Sequence, residues 1–324
     1  MFKLLVHIGL PKTATTTLQV NVFKRLHEQG DINFLGRSST LAEDSYFNPA
    51  EGIISQLSKK KNNAEIEALR CHLFSIMRPG LLNVLSEEAI SLTHKEDHVV
   101  RFENLATVFS GCDLTILLAV RNPMDFLFSY YVEMHRWHYR LIEDSNDFSK
   151  FANRIINDPE KNEFDILFME RFLSCLKSNF ESVEIILFED LKNDPDSYFT
   201  KLSELLCVDA EDLSNMFLEK PLNTRVFHNR GKYSEAVTLD QKISDATGAL
   251  PGNMVLNYLK QIKLLKFIYK WILLNTAKVG VLKPVEHFEL VGEKNMELEK
   301  LLLLKADDLK MFDERKLRAY KYLK

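Results

Sequence analysis

A chain of 324 residues can build one large domain or two modest ones, and 46% apolar with 27% charged residues is the balance of a soluble globular protein with a substantial core. The formal net charge of -4 argues against a broad nucleic-acid surface and leaves room only for local basic pockets, which favours a small anionic ligand over a polymer. No uninterrupted apolar run is long enough to cross a bilayer. Cys71, Cys112, Cys175 and Cys207 are scattered without a CxxC pair, the pattern of buried small hydrophobic residues in a reducing compartment. The amino terminus reads as fold rather than as a signal peptide, so the expected location is the cytoplasm.

The first element is the most informative. Phe2 to Ile8 is a short apolar run with the look of a buried parallel strand. A turn containing Gly9, Pro11 and Lys12 follows, and Thr15-Thr16-Thr17 opens an amphipathic helix. Backbone N–H groups, a lysine and hydroxyls then surround one small volume, a seat for a phosphate. Gly9 lets the chain turn, and Pro11 restricts the approach to Lys12. Gly9 and Lys12 lack the GxxxxGK spacing of the Walker loop. A purely structural strand, turn and helix is the competing reading, since threonines also cap helices locally.

Pro11-Lys12-Thr13-Ala14-Thr15-Thr16-Thr17 resembles the first phosphate-binding loop of the sulfotransferase superfamily, which often shows PK-x-(A/G/S)-T-(T/S) after the first strand. The resemblance implies that these seven residues bind the cofactor.

The helix continues from Leu18 to Leu26 and stops at Gly30-Asp31. Ile32 to Leu35 reads as a short strand, and Gly36 to Ser39 as a polar loop. Ile53–Leu57 and Ala64–Met77 look helical, with Lys59, Lys60 and Lys61 between them as a solvated cluster. Pro79-Gly80 leads into a strand at Leu81–Ser86. Glu87 and Glu88 fall just past its end, where an open parallel sheet holds its ligands. A carboxylate there could take the proton of an attacking alcohol. Several carbohydrate-directed and bacterial sulfotransferases use a glutamate in such a serine–glutamate context, and this resemblance favours Glu88 as base over Glu87. An ordinary helix-start role for the acidic pair stays open. His94 is the further candidate by likeness to the cytosolic small-molecule branch. His94 and His98 lack a recognisable third partner for a metal.

Leu114 to Val120 is the strongest internal strand. It runs into Arg121-Asn122-Pro123, where Asn122 can cap a helix, Pro123 fits its first turn and Asp125 suits its positive end. Arg121 stands at the mouth of this transition with a planar fork for anion oxygens, and Ser129 lies two helical turns along. The arrangement looks like the sulfotransferase region that holds the 3′-phosphate of 3′-phosphoadenosine 5′-phosphosulfate (PAPS), with Arg121 and Ser129 matching its arginine and serine. Tyr130, Tyr131, Trp137 and Tyr139 read as core aromatics around His135 and His138.

Helices at Phe148–Ile156 and Phe164–Phe180 precede another strand, Val183–Phe188, then Glu189-Asp190-Leu191 as turn or network residues and a helix from Pro195 to about Leu206. This alternation predicts an α/β fold: a three-layer domain with a mostly parallel central sheet. By resemblance it is the P-loop-like sulfotransferase fold, with a catalytic core over residues 1–235 and a helical C-terminal extension over residues 236–324 packed on it. In Arg225 to Lys232, Arg230 matches a basic lid over PAPS, although the RKG-rich signature of the cytosolic branch is incomplete; a solvated loop is the alternative. Asn253–Thr276 and Glu297–Tyr322 read as helices. The apolar stretch Leu264–Leu274 suits packing, an oligomer contact or the inner membrane surface, and Leu301–Leu304 suits burial against the core or a homodimer partner.

Taken together, the resemblance implies a PAPS-dependent sulfotransferase closer to the bacterial and carbohydrate-directed members than to the cytosolic phenol branch. PAPS is the donor, adenosine 3′,5′-bisphosphate (PAP) the product, and the acceptor a hydroxyl of a carbohydrate or lipid-linked glycan. Glu88 is the base, Lys12 stabilises charge in transfer, and no metal is required. An ATP-dependent small-molecule kinase and a noncatalytic nucleotide-binding scaffold are the competing readings.

Overall fold

Each short apolar run becomes a strand of one sheet. A computed structural model describes residues 1–36, 57, 59–91, 95–135, 142–145, 148–157, 169–219, 226–228, 232–237, 279–284, 301, 314–320 and 322. Strands β1 (Lys3–His7), β2 (Ile32–Phe34), β3 (Leu82–Ser86), β4 (Asp113–Val120) and β5 (Ser182–Leu187) pair in parallel in the order β2-β3-β1-β4-β5. β1 sits in the middle, which is why its Leu4, Leu5 and Val6 are all buried and why it reads as a continuous apolar run. The expected α/β architecture with a parallel central sheet is observed.

Strand alternation divides the core. Leu5, Val84, Leu117, Ala119 and Ile186 pack with helix α1, which runs through Thr15–Thr17, a wider π-wound turn Leu18–Phe23 and Lys24–Gln29. Helices α2 (Asn63–Ile76), α3 (Lys95–Val108), α4 (Pro123–His135), α5 (Phe148–Asn157) and α6 (Met169–Asn179) follow in the chain. The short α7 (Asp190–Asn193) comes next, then α8 (Pro195–Leu206) and α9 (Ala210–Leu218). Tyr198, Phe199, Leu202 and Leu206 of α8 and Leu213 and Phe217 of α9 close the layer begun by α1. Leu4, Val6, Leu85, Ile116 and Leu118 are equally buried on the opposite face, and Phe102 of α3 meets Phe172 of α6 and Phe180 edge-on at 5.6 and 5.9 Å.

The chain divides into two compact units, Met1–Tyr130 with Ile155–Leu222 and Met296–Lys324 in one, and Tyr131–Arg154 with Asn223–Asn295 in the other. The first holds the parallel sheet. The second holds an antiparallel sheet of β6 (Val226–His228), β7 (Lys232–Val237) and β8 (Val279–Pro284) in that order. Within it Tyr131 lies against Phe148 and Phe151, with ring centres 5.2 and 4.8 Å away, and donates its hydroxyl to the carbonyl of Ser145 at 2.9 Å.

Two local expectations need correction. The four cysteines form no disulfide, but none is buried: Cys71 lies exposed on α2 and Cys207 exposed at the end of α8, where its φ of 55° turns the chain out of the helix. Residues 279–284, for which the sequence offered no strand, pair with β7. The helix expected at 253–276, which includes 264–274, lies outside the described residues. Within 297–322 the described helix is α10 (Glu314–Ala319).

Candidate functional site: two loops at the switch point of the sheet

β1 leads to β2 on one side of the sheet and β4 leads to β5 on the other, so the crevice between their carboxyl ends is the topological switch point, where open α/β sheets take their ligands. The chain stays pinned past β1, with Ile8 and Leu10 donating to the carbonyls of Leu117 and Ala119 at 2.9 Å each. It then wraps tightly. Lys12 and Ala14 have φ of 70° and 62°, each a left-handed conformation that costs a residue with a side chain about 1–2 kcal/mol. Left-handed residues stand on either side of Thr13, the kind of backbone alternation from which anion-binding nests are built.

The threonines do something other than cap. Thr13 donates its hydroxyl to the carbonyl of Leu10 at 2.6 Å and lies 3.2 Å from the hydroxyl of Thr15, which reaches the same carbonyl at 3.4 Å. Ala14 precedes α1 without any side-chain cap, so the positive end of the helix faces the loop with no capping side chain across it. Pro11, Thr13, Thr15 and Thr17 are buried, whereas Lys12, Ala14 and Thr16 are half-exposed. Gly9 is required by crowding: a Cβ there would stand 2.8 Å from Thr15 Oγ1 and 2.9 Å from His7 Nε2.

Beside this loop lies a polar cluster that no motif or periodicity announces. His7 is fully buried, shares a 2.8 Å hydrogen bond between Nδ1 and Ser86 Oγ, and leaves Nε2 without a partner. Gln19, from the π-wound turn of α1, donates to Ser86 Oγ at 2.9 Å and to the Ser86 carbonyl at 3.2 Å. Burial lowers the His7 pKa to about 3, so the ring is neutral at ordinary pH.

Arg121 reaches across from the end of β4 and donates Nη1 to the carbonyl of Lys12 at 3.2 Å, which brings the two sequence signatures together. Its guanidinium lies over the ring of Phe188 at 4.9 Å. Burial lowers its pKa, opposed by the fields of Asp125, Glu189 and Tyr322. Its Nε is buried and unpartnered, and among the described residues Arg121 forms no ion pair. Asn122 caps α4 as its sequence suggests, accepting from the N–H groups of Met124 and Asp125 at 2.9 and 3.2 Å. Ser129 is half-buried on α4, about 9 Å along the axis from Pro123, and has no hydrogen bond among the described residues.

Glu87 is buried and its N–H donates to the carbonyl of His7 at 3.0 Å, which extends the β3–β1 pairing by one step. Glu88 is half-exposed and begins a tight turn, Glu88–Ile90. Ser91 Oγ holds that turn by donating to the Glu88 carbonyl at 2.8 Å and also lies 3.4 Å from the carbonyl of Gly9, while Arg101 donates to the carbonyl of Ile90 at 3.2 Å. The strand end that bears Glu88 is therefore tied to the loop that bears Lys12. His94 and Arg230 lie outside the described residues. Among the described residues no three His, Cys, Asp or Glu side chains gather as metal ligands, and no helix is long and apolar enough to cross a membrane.

This is an α/β protein whose parallel sheet brings together, at one crevice, the left-handed loop that bears Lys12 and an arginine with no ion pair among the described residues. Among solved structures it is similar to a sulfotransferase from Alicyclobacillus acidocaldarius, at 14% identity over 65% of this chain and 83% of the other, with a TM-score of 0.40. Mouse sulfotransferase SULT7A1 complexed with PAP matches at 14% identity over 66% of this chain and 64% of its own, with a TM-score of 0.36. Retinol dehydratase in complex with androsterone and inactive cofactor PAP matches at 14% over 96% and 81%, with a TM-score of 0.41. No family model and no curated protein matches the chain. Likeness of this degree assigns no activity.

Proposed function

We propose that this chain binds PAPS and transfers its sulfonyl group to the hydroxyl of a carbohydrate or lipid-linked glycan. The observation that carries the reading is the Arg121–Lys12 contact: the two stretches that separately resemble the donor-binding loops meet at the switch point, and the arginine there has no carboxylate partner among the described residues. In the reaction the acceptor oxygen attacks sulfur while the bond from sulfur to the bridging phosphate oxygen breaks, and Glu88 takes the hydroxyl proton. The products are a sulfate ester and PAP. Lys12 and the N–H groups of the nest stabilise the charge that builds on the departing phosphate. Arg121 and Ser129 hold the 3′-phosphate and so orient the donor. The glycan acceptor rests on the serine–glutamate resemblance at Ser86-Glu87-Glu88.

Calorimetry with PAP, adenosine 5′-phosphosulfate and ATP–magnesium tests the donor. PAP should bind at least about tenfold more tightly than the nucleotide without a 3′-phosphate, and Arg121→Ala should erase most of that difference. Preference for ATP–magnesium, or equal affinity with and without the 3′-phosphate, rejects the reading. With an acceptor found by mass spectrometry, Glu88→Gln should leave PAP affinity unchanged and slow transfer by about 10²–10⁴. Near-normal transfer would remove Glu88 from the role of base, and PAP binding without transfer to any acceptor would leave a binding protein.

A further inference from the structure

The crevice beside Arg121 is finished by the far end of the chain. Tyr322, 1% exposed, donates its hydroxyl to Glu189 Oε2 at 2.6 Å, and Glu189 Oε1 accepts the N–H of Asn122 at 2.8 Å. The side-chain nitrogen of Asn122 in turn donates to the carbonyl of Tyr320 at 2.9 Å. Asn122, Glu189, Tyr322 and Tyr320 thus form a closed ring of contacts one residue away from Arg121. Tyr320 and Lys316 anchor the same segment on Asp190, at 2.8 and 3.1 Å.

This ring explains an otherwise costly arrangement. A half-buried guanidinium close to a half-buried carboxylate should form a charge-assisted ion pair, among the strongest contacts available to either. Arg121 and Glu189 do not: each feels the other's charge, yet no ion pair within 4.0 Å joins them. Both oxygens of Glu189 are already engaged, one by a backbone N–H and one by the Tyr322 hydroxyl.

We propose that Tyr322 is a positioning residue that occupies Glu189 and so keeps the fork of Arg121 available for an anion. The segment from Lys316 to Tyr322 brings the hydroxyl to the site, and the selectivity of the site for a phosphate at Arg121 depends on it. This deepens the PAPS reading and rests on it for the identity of the anion. Without the hydroxyl, Glu189 keeps one hydrogen bond and turns its second oxygen to Arg121, neutralising it.

The test is Tyr322→Phe, which keeps the ring in its pocket and removes only the donor. Affinity for PAP should fall about tenfold or more while affinity for adenosine 5′-phosphosulfate stays unchanged. The double variant Tyr322→Phe/Glu189→Gln should recover most of the loss, because a neutral amide cannot pair with the arginine. A structural role alone would give no such rescue. Unchanged PAP preference in Tyr322→Phe, or equal losses for both nucleotides with no rescue, overturns the inference. If the unaltered protein shows no preference for PAP, the donor reading fails and a second measurement decides the inference: the carboxyl titration of Glu189 followed by carbon NMR. Arg121→Gln should raise the Glu189 midpoint more in the Tyr322→Phe background than in the unaltered protein, and an equal rise in both means that no new pair formed.

Discussion

Burying His7 with Nε2 unpartnered gives the protein a pH dependence of definite sign. Gln19 can only donate to Ser86 Oγ, so the serine hydroxyl donates onward to His7 Nδ1 and the proton of the neutral ring sits on Nε2, under Gly9. A second proton would have to displace the Ser86 bond at a fully buried ring. The folded ring therefore titrates near 3 against an ordinary value of 6.5. As the pH falls below 6.5 the unfolded chain gains a proton that the folded chain refuses. The stability complete above pH 6.5 is lost toward pH 3, at up to about 1.4 kcal/mol per pH unit. Glu189 works in the opposite sense, since burial raises its pKa despite the Tyr322 hydrogen bond and stability declines as pH rises through its titration. Comparing two chains that both carry Glu189 isolates the histidine. We expect His7→Asn, whose amide can still meet Ser86, to be less stable at pH 7 but to escape roughly 2 kcal/mol of the loss between pH 7 and pH 5. Urea unfolding at the two pH values measures this, and parallel losses in both proteins would exclude His7 as the source.

At the scale of elements, the legible parts were those specified by a few neighbouring residues. The helix stop at Gly30, with φ of 90°, the Asn122 cap and the helix start at Pro195 are local chemistry, and so are the five strands, whose apolar runs admit little else in a parallel sheet. The proximity of Lys12 to Arg121 could be anticipated because each follows a strand and the ends of parallel strands share one edge. Contacts between distant polar side chains could not. His7 and Ser86 are 79 residues apart. Asn83 bonds Asn33, the carbonyl of Lys3 and both backbone groups of Arg78, and yet looks in sequence like a polar interruption of an apolar strand. Neither has a period to detect. The inward turn of the Thr13 hydroxyl escaped for a related reason: Lys12 and Ala14 are left-handed without being glycine, so local propensity points away from the conformation the site adopts. Helices α3 and α9 drew no clear expectation, and α9 reveals itself only through Leu213 and Phe217 in the shared core.

For the whole molecule the decisive link joins the two ends of a long excursion. After leaving the first compact unit the chain returns to it over residues 296–324, and Lys316 bonds Asp190, 126 residues earlier. It also reaches Asp194 at 2.9 Å and the hydroxyl of Ser197 at 2.9 Å. Burial disfavours the charged lysine, but hydrogen bonds to Asp194 and Asp190 outweigh it and raise its pKa. The Asp190 leg differs from an ordinary surface pair because its side chains are only 25% and 11% exposed, whereas the Arg318–Glu314 pair on the same helix is 53% and 64% exposed. Water and salt screen the second and largely miss the first. A double-mutant cycle with Lys316→Met and Asp190→Asn should give a coupling of about 1–3 kcal/mol that survives about 1 M salt, while the cycle across Arg318 and Glu314 should give about 0.3–0.5 kcal/mol and vanish there. Removing Lys316 alone should cost more than removing both partners, because it strands a buried carboxylate. A coupling near zero across Lys316 and Asp190 would mean that Tyr320 and Tyr322 hold the returning segment without the lysine.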